Sequence, residues 1–432
     1  MRLMNFLEHT DKQVKDLISA ELRRQRECLV MIPSENFVSP AVLEATGCVA
    51  TNKYSEGYPG KRYYTGNEVI DRLEETCQQR ACTLFGVAHA NVQALSGSPA
   101  NLAIYFALLE PGDTIMGMEL AQGGHLTHGY SRNFSGRFYH NVNYGVNRAT
   151  ELLDYDSIRD IARREKPKII VCGATAYPRL IDFKKFRLIA DEVGAYLLAD
   201  ISHIAGLVIA EVHPSPVPYA DIIMTTTHKT LRGPRGAIIM IPRLEDRHRL
   251  RCRPDSKKDL AQLIDTAIIP GLQGGPHDHQ TAAIAVALKE ASRPEFKIYG
   301  QQIVKNAKAL AASLTEAGLR LVSGGTDNHL ILLDVQNTGL NGHEAALELA
   351  QVGISTNKNM IPFDLGTPLK PSGVRLGTPA LTTRGFNEED MRLVGATIAD
   401  VLHHPTSDDV KKRARETVRE LTSIHPLYPE LN

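Results

Sequence analysis

The stretch that decides the fold reads Met224-Thr225-Thr226-Thr227-His228-Lys229-Thr230. It places one lysine directly after an apolar run, among hydroxyl groups and a histidine. Free lysine is protonated near neutral pH, so a lysine that binds an aldehyde cofactor must be desolvated or crowded by other cations. His228, Arg232 and Arg235 lie close by in sequence and are the candidate cations. The stretch therefore indicates a Schiff-base lysine.

A carboxylate ends a second apolar run upstream. This run reads Ala195-Tyr196-Leu197-Leu198-Ala199-Asp200, and Ile201-Ser202-His203 follows it. A pyridoxal phosphate (PLP) site needs a lysine for the aldehyde and an aspartate that keeps the pyridine nitrogen protonated. A strand-end lysine taken alone is more often a solvated loop residue. With Asp200 and His203 upstream, the pattern favours the cofactor site.

Short apolar runs alternate with helical patterns around these two stretches. The strand candidates are Asp113–Met118, Lys168–Cys172, Ala195–Ala199, Asp221–Thr226 and Ala237–Ile241. Helical patterns such as Phe183–Val193 separate several of them, which predicts an α/β fold with a mainly parallel central sheet flanked by helices. Ligands bind such sheets at the carboxyl ends of the strands, where both Asp200 and Lys229 fall.

The chain of 432 residues is long enough to predict more than one domain. We assign residues 1–55 to an N-terminal arm and dimer-contacting segment, 56–280 to a large PLP-binding domain, and 281–432 to a smaller α+β domain. In the arm, Thr10 is expected to cap an amphipathic helix. A long helical stretch from about His279 to Leu314 leads into the small domain, where we predict the strand Leu330–Val335 and the helices Glu388–Leu402 and Asp409–Leu421.

Charge, cysteine usage and hydropathy exclude several classes of function. Lys+Arg and Asp+Glu both number 49, so we expect neither nucleic acid nor a membrane surface as a partner. No stretch approaches the roughly 20 apolar residues of a membrane span. The cysteines show no CxxC pair and no zinc-type spacing, which indicates reduced thiols in a cytoplasmic protein. They are Cys28, Cys48, Cys77, Cys82, Cys172 and Cys252.

A phosphate site is predicted at Ser96-Gly97-Ser98-Pro99-Ala100-Asn101, which precedes the helical run Leu102–Leu109. Small residues let backbone N–H groups approach an anion, hydroxyls donate to it, and the start of a helix adds positive potential. By itself such a turn is usually only a helix cap. Next to a PLP lysine it supplies the missing phosphate site.

The histidines of Gly123-Gly124-His125-Leu126-Thr127-His128 allow more than one interpretation. His125 and His128 could form a metal pair, but no third ligand accompanies them, so we expect no metal. The imidazole of His125 could instead stack on the cofactor ring, or it could be an ordinary buried histidine. His277-Asp278-His279 raises the same metal question, but beside Gly271–Pro276 it is better interpreted as part of a glycine loop.

Several long motifs together resemble the serine hydroxymethyltransferase family, over about residues 3–425. They are Pro33–Phe37, Tyr54–Tyr64, Gly123–His128, Thr225–Lys229, Leu231–Gly236 and Ser372–Pro379. The resemblance implies a PLP-dependent enzyme of fold type I, the aspartate-aminotransferase-like fold. It implies reversible transfer of the serine hydroxymethyl carbon to tetrahydrofolate, giving glycine and 5,10-methylenetetrahydrofolate.

The resemblance also implies roles for individual residues. The candidate catalytic residues are Lys229, Glu56, His228 and Thr226. Lys229 would hold the cofactor covalently, and Glu56 would transfer protons at the serine hydroxyl and the folate. The candidate cofactor contacts are Ser96, Gly97 and Ser98 at the phosphate, Asp200 at the pyridine nitrogen, His203 at the ring hydroxyl, His125 on the ring face, Thr175, Tyr54 and Gly274. The candidate substrate contacts are Arg375 and Ser34 at the amino-acid carboxylate, Tyr64, and Leu120, Gly124, Leu126 and Asn359 at the pterin.

The resemblance further implies a homodimer, with a tetramer as the alternative. Tyr54 and Tyr64 would line the site from the neighbouring subunit, and Gly274 would reach across the dimer to the phosphate. Three positions depart from the commonest family pattern: Ser202, Thr175 and Gln122. These small or polar changes leave the chemistry intact but bear on substrate preference and rate.

Two other functions stay open at this point. A folate-independent PLP aldolase acting on 3-hydroxy amino acids, or an aminotransferase, would share the fold but would not explain the Tyr54–Tyr64 loop with Glu56. A catalytically silent binding protein should have lost Lys229, Asp200 or Arg375, and all three are present. The sequence does not distinguish direct folate attack from release of formaldehyde.

Overall fold

The computed structural model describes residues 4–245 and 256–431. Its strands are β1 Leu29–Val30, β2 Gly57–Tyr58, β3 Lys61–Arg62, β4 His89–Asn91, β5 Thr114–Met118, β6 His140–Tyr144, β7 Ile169–Cys172, β8 Tyr196–Asp200, β9 Ile222–Thr226, β10 Ala237–Ile241, β11 Arg320–Leu321, β12 Leu330–Asp334, β13 Ile354–Ser355, β14 Asn357–Asn359 and β15 Gly373–Gly377.

The α-helices alternate with these strands through most of the chain. They are α1 Met4–Thr10, α2 Lys12–Glu27, α3 Pro40–Thr46, α4 Glu68–Phe85, α5 Gly97–Leu108, α6 Phe134–Phe138, α7 Tyr155–Glu165, α8 Phe183–Val193, α9 Ala205–Ile209, α10 Leu260–Thr266, α11 Asp278–Ala291, α12 Pro294–Glu316, α13 Gly342–Gln351, α14 Pro379–Thr383, α15 Glu388–His403 and α16 Asp408–Ile424.

The chain divides into two compact units. The larger unit is Asn36–Gln301, and the smaller comprises the described residues of Met1–Glu35 and Gln302–Asn432. β1 pairs with β13, which groups the first 35 residues with the C-terminal ones. The sequence-based division was drawn by expected function instead, with a dimer-contacting arm at 1–55, a PLP-binding domain at 56–280 and a small domain at 281–432. Contacts within a single chain do not test that division.

A seven-stranded sheet forms the centre of the larger unit, in the order β4-β10-β9-β8-β7-β5-β6. β10 runs antiparallel to both of its neighbours, and the other strands share one direction. Residues of β7, β8, β9 and β10 are all buried, as expected for a sheet that is covered on both faces. The predicted α/β class and mainly parallel sheet are confirmed.

The predicted elements match the observed ones to within one residue at most strand ends. The long helix expected from about His279 to Leu314 is the exception, because it is two helices, α11 and α12. The break falls at Ser292 and Arg293, immediately before Pro294. Proline disfavours helical backbone in the residue before it and begins helices well, so the chain stops one helix and starts another there.

The smaller unit contains an antiparallel sheet in the order β11-β12-β15-β14. Its core is aliphatic, and Leu29 and Met31 from the N-terminal segment pack into it beside residues of α12, α13, α15 and α16. This arrangement explains why residues 4–35 belong with the C-terminal part of the chain.

The N-terminal arm differs from the prediction in its cap. Asp11 caps α2, because its carboxylate accepts the backbone N–H of Val14 at 3.0 Å, whereas Thr10 ends α1. No residue of α2 is buried, and the side chain of Leu17 is 64% exposed. The apolar face of this helix is therefore uncovered within one chain.

Two further findings bear on the predicted class of protein. Within the described ranges, no helix is long and apolar enough to cross a bilayer. Cys28, Cys48, Cys77, Cys82 and Cys172 are free thiols, and Cys252 lies outside the described residues.

Candidate active site

A small cleft lies at the carboxyl edge of the central sheet. β7, β8 and β9 are neighbouring parallel strands, so the residues that follow their last positions meet at this edge. The cleft brings together seven of the predicted site residues: Gly97, His125, Thr175, Asp200, His203, Thr226 and Lys229. The sheet register therefore assembles side chains that lie far apart in sequence.

Asp200 is held as an anion at the base of the cleft. Its Oδ2 lies 3.0 Å from Nε2 of His128 and accepts from Asn101 Nδ2 at 3.1 Å, while its Oδ1 accepts the backbone N–H of Ser202 at 3.1 Å. Burial alone would raise the pKa of this carboxyl, but the hydrogen bonds that it accepts, first of all from His128, outweigh burial and hold the pKa well below its usual range. A buried anion at this position can stabilise a cationic ring nitrogen.

His128 donates to Asp200 through a defined tautomer. The backbone N–H of His125 donates to His128 Nδ1 at 3.3 Å, so the ring proton lies on Nε2, which faces the carboxylate. His128 and Asp200 are almost fully buried, with side chains 1% and 6% exposed. His128 is thus a structural partner of Asp200 rather than half of a metal pair. In the described residues, no group of three or more His, Cys, Asp or Glu side chains could hold a metal.

Lys229 is 8% exposed, and its backbone is anchored. Its carbonyl accepts from Asn36 Nδ2 at 2.9 Å, and the same nitrogen lies 2.7 Å from the hydroxyl of Tyr299. The guanidinium of Arg232 stacks 4.5 Å from the centre of the Tyr299 ring. This arrangement fixes the loop that carries the lysine.

His228 differs from the expectation that it crowds Lys229 with positive charge. Burial, followed by the charges of Lys229 and Arg235, lowers the pKa of His228 to about 3. The imidazole is therefore neutral near pH 7, and only Arg232 and Arg235 remain as nearby cations. An imidazole with so low a pKa is a weak base, so His228 can accept a hydrogen bond but does not become protonated near pH 7.

The predicted phosphate cradle begins α5. Ser96 has extended backbone with φ of −167° and ψ of 177°, and the helix starts at Gly97. A Cβ added at Gly97 would lie 2.7 Å from Cγ2 of Thr226, so only glycine lets the turn approach the end of β9 so closely. The Thr226 hydroxyl is buried without a hydrogen-bond partner in the structure. A close-approach glycine, a helix start and an unsatisfied hydroxyl together suit a phosphorylated ring cofactor.

His125 has a fixed ring orientation at the cleft. Its Nδ1 accepts the backbone N–H of Thr127 at 3.2 Å and lies 2.8 Å from the Thr127 hydroxyl. That hydroxyl in turn accepts from Asn101 Nδ2 at 2.8 Å. The imidazole is thus oriented by the same asparagine that contacts Asp200, which suits a ring that stacks on a planar ligand.

Four predicted residues form a second cluster in the larger unit. The Tyr54 hydroxyl lies 3.3 Å from Glu56 Oε1, the Tyr54 and Tyr64 rings contact edge to face at 5.1 Å, and a Cβ at Gly274 would lie 3.2 Å from Glu56 Oε1. None of the four is among the residues that line the Lys229 cleft in the described structure. These four residues therefore form a tyrosine-loop group that is distinct from the residues lining the cleft.

Arg375 and Asn359 lie in the smaller unit, on adjacent strands. Arg375 lies in β15, where Val374 and Leu376 point into the core and Arg375 pairs across to Asn357. Its Nε donates to Asn357 Oδ1 at 3.2 Å. The segment before Ser34 runs along the end of β15, because Gly377 N donates to Met31 O at 2.8 Å. Ser34, Asn359 and Arg375 thus all belong to the smaller unit, with Asn359 and Arg375 on paired strands.

The predicted pterin contacts Leu120, Gly124 and Leu126 lie on the loop after β5. Leu120 and Leu126 are 36% and 45% exposed. A Cβ at Gly124 would collide with the carbonyl of Met118, so the loop requires glycine there. The two leucines give the loop an exposed apolar surface, as expected for contact with an aromatic ligand.

The three departures from the family pattern all make local hydrogen bonds. The Ser202 hydroxyl accepts the backbone N–H of Thr226 at 3.1 Å, and the Thr175 hydroxyl donates to Gly124 O at 2.7 Å. Gln122 Oε1 accepts the backbone N–H of Val146 at 2.9 Å. Each polar group is therefore used to fix a loop at the edge of the cleft.

Sequence reasoning missed Asn101, the Asp200 partnership of His128, and Asn36. Asn101 follows the cradle and His128 ends a histidine motif, so both were within quoted stretches. Their roles depend on partners 99 and 72 residues away, which no local spacing indicates. Asn36 binds the Lys229 carbonyl across 193 residues.

Comparisons with known proteins are consistent with these features. The sequence model described as "Serine hydroxymethyltransferase" matches residues 7–398. A protein of that name from Crocosphaera subtropica is 52% identical over 429 residues, covering 99% of this chain and 97% of the relative. A protein of the same name from Koribacter versatilis is 53% identical over the same length and coverage.

Proposed function

This chain belongs to the serine hydroxymethyltransferase family, and on that premise we propose that it transfers the hydroxymethyl carbon of serine to tetrahydrofolate, giving glycine and 5,10-methylenetetrahydrofolate in a reversible reaction. One observation carries this function: a buried lysine and a buried anionic aspartate line one cleft at the carboxyl edge of a parallel sheet. That pair suits PLP, the cofactor of this family.

Bound PLP would supply an electron sink for cleavage of the carbon–carbon bond of serine. Lys229 would hold the cofactor covalently, with Asp200 at the ring nitrogen, His203 at the ring hydroxyl and His125 on the ring face. Ser96, Gly97 and Ser98 would hold the phosphate. The unsatisfied Thr226 hydroxyl and the close approach of Gly97 support this assignment.

The residues around the cleft would control charge and proton positions. Asp200 is anionic across the physiological range, so it favours a protonated ring nitrogen. His228 is neutral near pH 7 and lies next to Lys229 in sequence, so it would add no competing positive charge and could accept a hydrogen bond where the lysine exchanges with the substrate amine. Thr226 and Thr175 would contribute polar contacts at the edges of the cofactor.

Arg375 would bind the amino-acid carboxylate, with Ser34 assisting. Burial lowers the pKa of the Arg375 guanidinium to about 10, which still leaves it cationic near pH 7. The planar guanidinium can donate two parallel hydrogen bonds to a carboxylate. Its hydrogen bond to Asn357 holds Nε and helps to orient the fork.

Glu56 would act at the serine hydroxyl and the folate, and Leu120, Gly124, Leu126 and Asn359 would contact the pterin. We propose that Glu56, Tyr54, Tyr64 and Gly274 act in the site of a neighbouring subunit. Two observations support this shared site: these four residues cluster away from the Lys229 cleft lining, and the apolar face of α2 is exposed in one chain. A homodimer is the simplest assembly that would provide it. A cytoplasmic location also stays a prediction.

The decisive experiment measures serine cleavage by the purified, PLP-loaded protein with and without tetrahydrofolate. We expect formation of glycine and methylenetetrahydrofolate only with folate, and slower folate-independent cleavage of 3-hydroxy amino acids such as allo-threonine. Cleavage of allo-threonine without any folate-dependent transfer would identify an aldolase instead. Borohydride reduction should fix the cofactor on Lys229, and an adduct on another lysine would refute the cofactor assignment.

A further inference from the structure

The loop that carries Glu56 is held by one buried arginine. Arg62 ends the short hairpin of β2 and β3, and its side chain is 3% exposed. Its Nη1 donates to the carbonyls of Ser55 and Gly57, both at 2.8 Å. A single nitrogen therefore bridges the carbonyl groups of the two residues on either side of Glu56.

The other donors of Arg62 bind α4. Nε donates to Asp71 Oδ1 at 2.8 Å, and Nη2 donates to Glu74 Oε2 at 2.6 Å. The Glu74 side chain is 2% exposed, and burial raises the pKa of its carboxyl, an effect that Arg62 opposes. The loop backbone is thus fastened to a rigid helix through a desolvated ion pair.

The same network continues to the predicted phosphate cradle. Gln93 Nε2 donates to Glu74 Oε1 at 2.9 Å and to Gly57 O at 3.0 Å. Gln93 O accepts from Gln273 Nε2 at 2.8 Å, and Gln273 Oε1 accepts the backbone N–H of Leu95 at 3.2 Å. Gln273 belongs to the glycine loop and Leu95 precedes Ser96, so these bonds join the Glu56 loop, the glycine loop and the cradle of one chain.

A further contact fixes Ser55 itself. The Ser55 hydroxyl lies 2.8 Å from both carboxylate oxygens of Asp278, the first residue of α11. By contrast, the Glu56 side chain has one hydrogen bond in the described structure, from the Tyr54 hydroxyl at 3.3 Å. The position of Glu56 is therefore set through its backbone neighbours rather than through its carboxylate.

We propose that Arg62 is a positioning residue for the folate-dependent step, acting on Glu56 through the carbonyls of Ser55 and Gly57. This inference rests on the proposed function, in which Glu56 acts at the serine hydroxyl and the folate; on that basis we expect Glu56 to matter more for transfer to folate than for cleavage of 3-hydroxy amino acids. A lysine at position 62 would keep one ion pair but could not bridge the two carbonyls as well, because an ammonium lacks the planar fork. Glu56 would then shift while the Lys229 cleft stays intact.

The test compares Arg62→Lys with Arg187→Lys in the PLP-loaded enzyme. Arg187 is a matched control, because it also pairs with two carboxylates, of Asp191 and Asp221, and donates to two backbone carbonyls. Its side chain is 6% exposed. It lies next to the residues that precede β8 and β9, at the amino-terminal edge of the sheet.

Arg62→Lys should lower folate-dependent transfer about 10- to 100-fold, since a displacement of about 1 Å can cost on the order of 100-fold in rate. Cleavage of allo-threonine should stay within about threefold of wild type, and PLP absorbance should not change. Arg187→Lys should affect the two activities equally. Equal losses of both activities in Arg62→Lys would overturn the proposal.

A second comparison asks whether Arg62 acts through Glu56. If it does, Arg62→Lys should cost little additional transfer activity in a Glu56→Gln background, because residues that act as a unit are not additive. If Arg62→Lys lowers transfer activity by the same factor in the Glu56→Gln protein as in wild type, Arg62 does not act through Glu56. Wild-type enzyme that cleaves allo-threonine but transfers nothing to folate would instead refute the proposed function.

A milder variant keeps the proposal testable if Arg62→Lys does not accumulate as folded protein. Glu74→Gln retains an acceptor for Arg62 Nη2 but removes the buried charge partner. It should also lower transfer more than cleavage, by a smaller factor. Equal reductions of both activities in Glu74→Gln would overturn the proposal in the same way.

Discussion

The hydrogen bond between His128 and Asp200 should stabilise the fold by an amount that burial determines. The two side chains are 1% and 6% exposed and meet at 3.0 Å. A hydrogen bond to a buried charged group contributes about 1.5–3 kcal/mol, so we expect a coupling free energy of about 2 kcal/mol between the two residues. The pKa of Asp200 is lowered in the folded protein, so its stabilising contribution is present at pH 7 and is lost as pH falls below the unfolded value of about 3.9.

A double-mutant cycle at pH 7 measures this coupling. The free energy of unfolding in urea is compared for cofactor-free wild type, His128→Ala, Asp200→Asn and the double variant. The cycle cancels the cavity that alanine leaves in each background. The coupling is obtained by comparing the change in unfolding free energy caused by His128→Ala in the wild-type protein with the change that it causes in Asp200→Asn.

The pair His89–Asp265 is a matched control within the same unit. Its atoms also meet at 3.0 Å, and Asp265 also accepts from an asparagine, Asn91 at 2.8 Å. Its side chains are 25% and 24% exposed, so the coupling should be about 0–1 kcal/mol. A coupling for His128 and Asp200 below about 0.5 kcal/mol, or no larger than that of the control pair, would refute the reasoning from burial.

Three further predictions test the proposed site. Gly97→Ala should weaken PLP binding in a cofactor titration, because the new methyl group would lie 2.7 Å from Thr226 Cγ2. Overpacking of this kind costs about 1–3 kcal/mol. An unchanged affinity for PLP would contradict the assignment of Gly97 to the phosphate cradle. Arg375→Lys should weaken serine and glycine binding far more than PLP binding, as measured by spectral titration, because an ammonium cannot reproduce the two-pronged contact. If wild type and variant bind serine and glycine equally well, Arg375 does not bind the substrate carboxylate. Mixing inactive Lys229→Ala and Glu56→Gln chains should restore about a quarter of the wild-type activity per dimer, because about half of the dimers are mixed and one site in each is intact. If subunits exchange and no activity returns, the two residues act within one chain.

The positions and burial of five central strands could be inferred largely from local pattern. Apolar runs such as Tyr196–Asp200 and Ile222–Thr226 are typical of strands that are buried on both faces. A parallel sheet aligns the carboxyl ends of such strands. The meeting of Asp200 and Lys229 in one cleft followed from that alignment alone. The roles of Arg375 and Glu56, by contrast, came from the resemblance to a family rather than from pattern.

Predictions from local sequence pattern were wrong where a neighbouring residue made a better cap or ended a helix, and where burial in the folded protein changed the charge of a side chain. Asp11 displaces Thr10 as the cap of α2 because it is placed to accept the Val14 N–H, and Pro294 divides one expected helix into two. His228 is close to cationic groups in sequence, yet burial makes it neutral. None of these outcomes follows from residue spacing.

Sequence by itself determined which elements form and which strand ends carry the chemistry, because periodicity and apolar runs are properties of neighbouring residues. Only the tertiary structure decided that His128 holds Asp200 across 72 residues, that Asn36 holds Lys229 across 193, and that one Arg62 nitrogen bridges the carbonyls of the residues before and after Glu56. Buried polar groups must find partners wherever packing supplies them. Those partners therefore depend on which segments the fold brings together, and short-range sequence patterns do not encode that proximity.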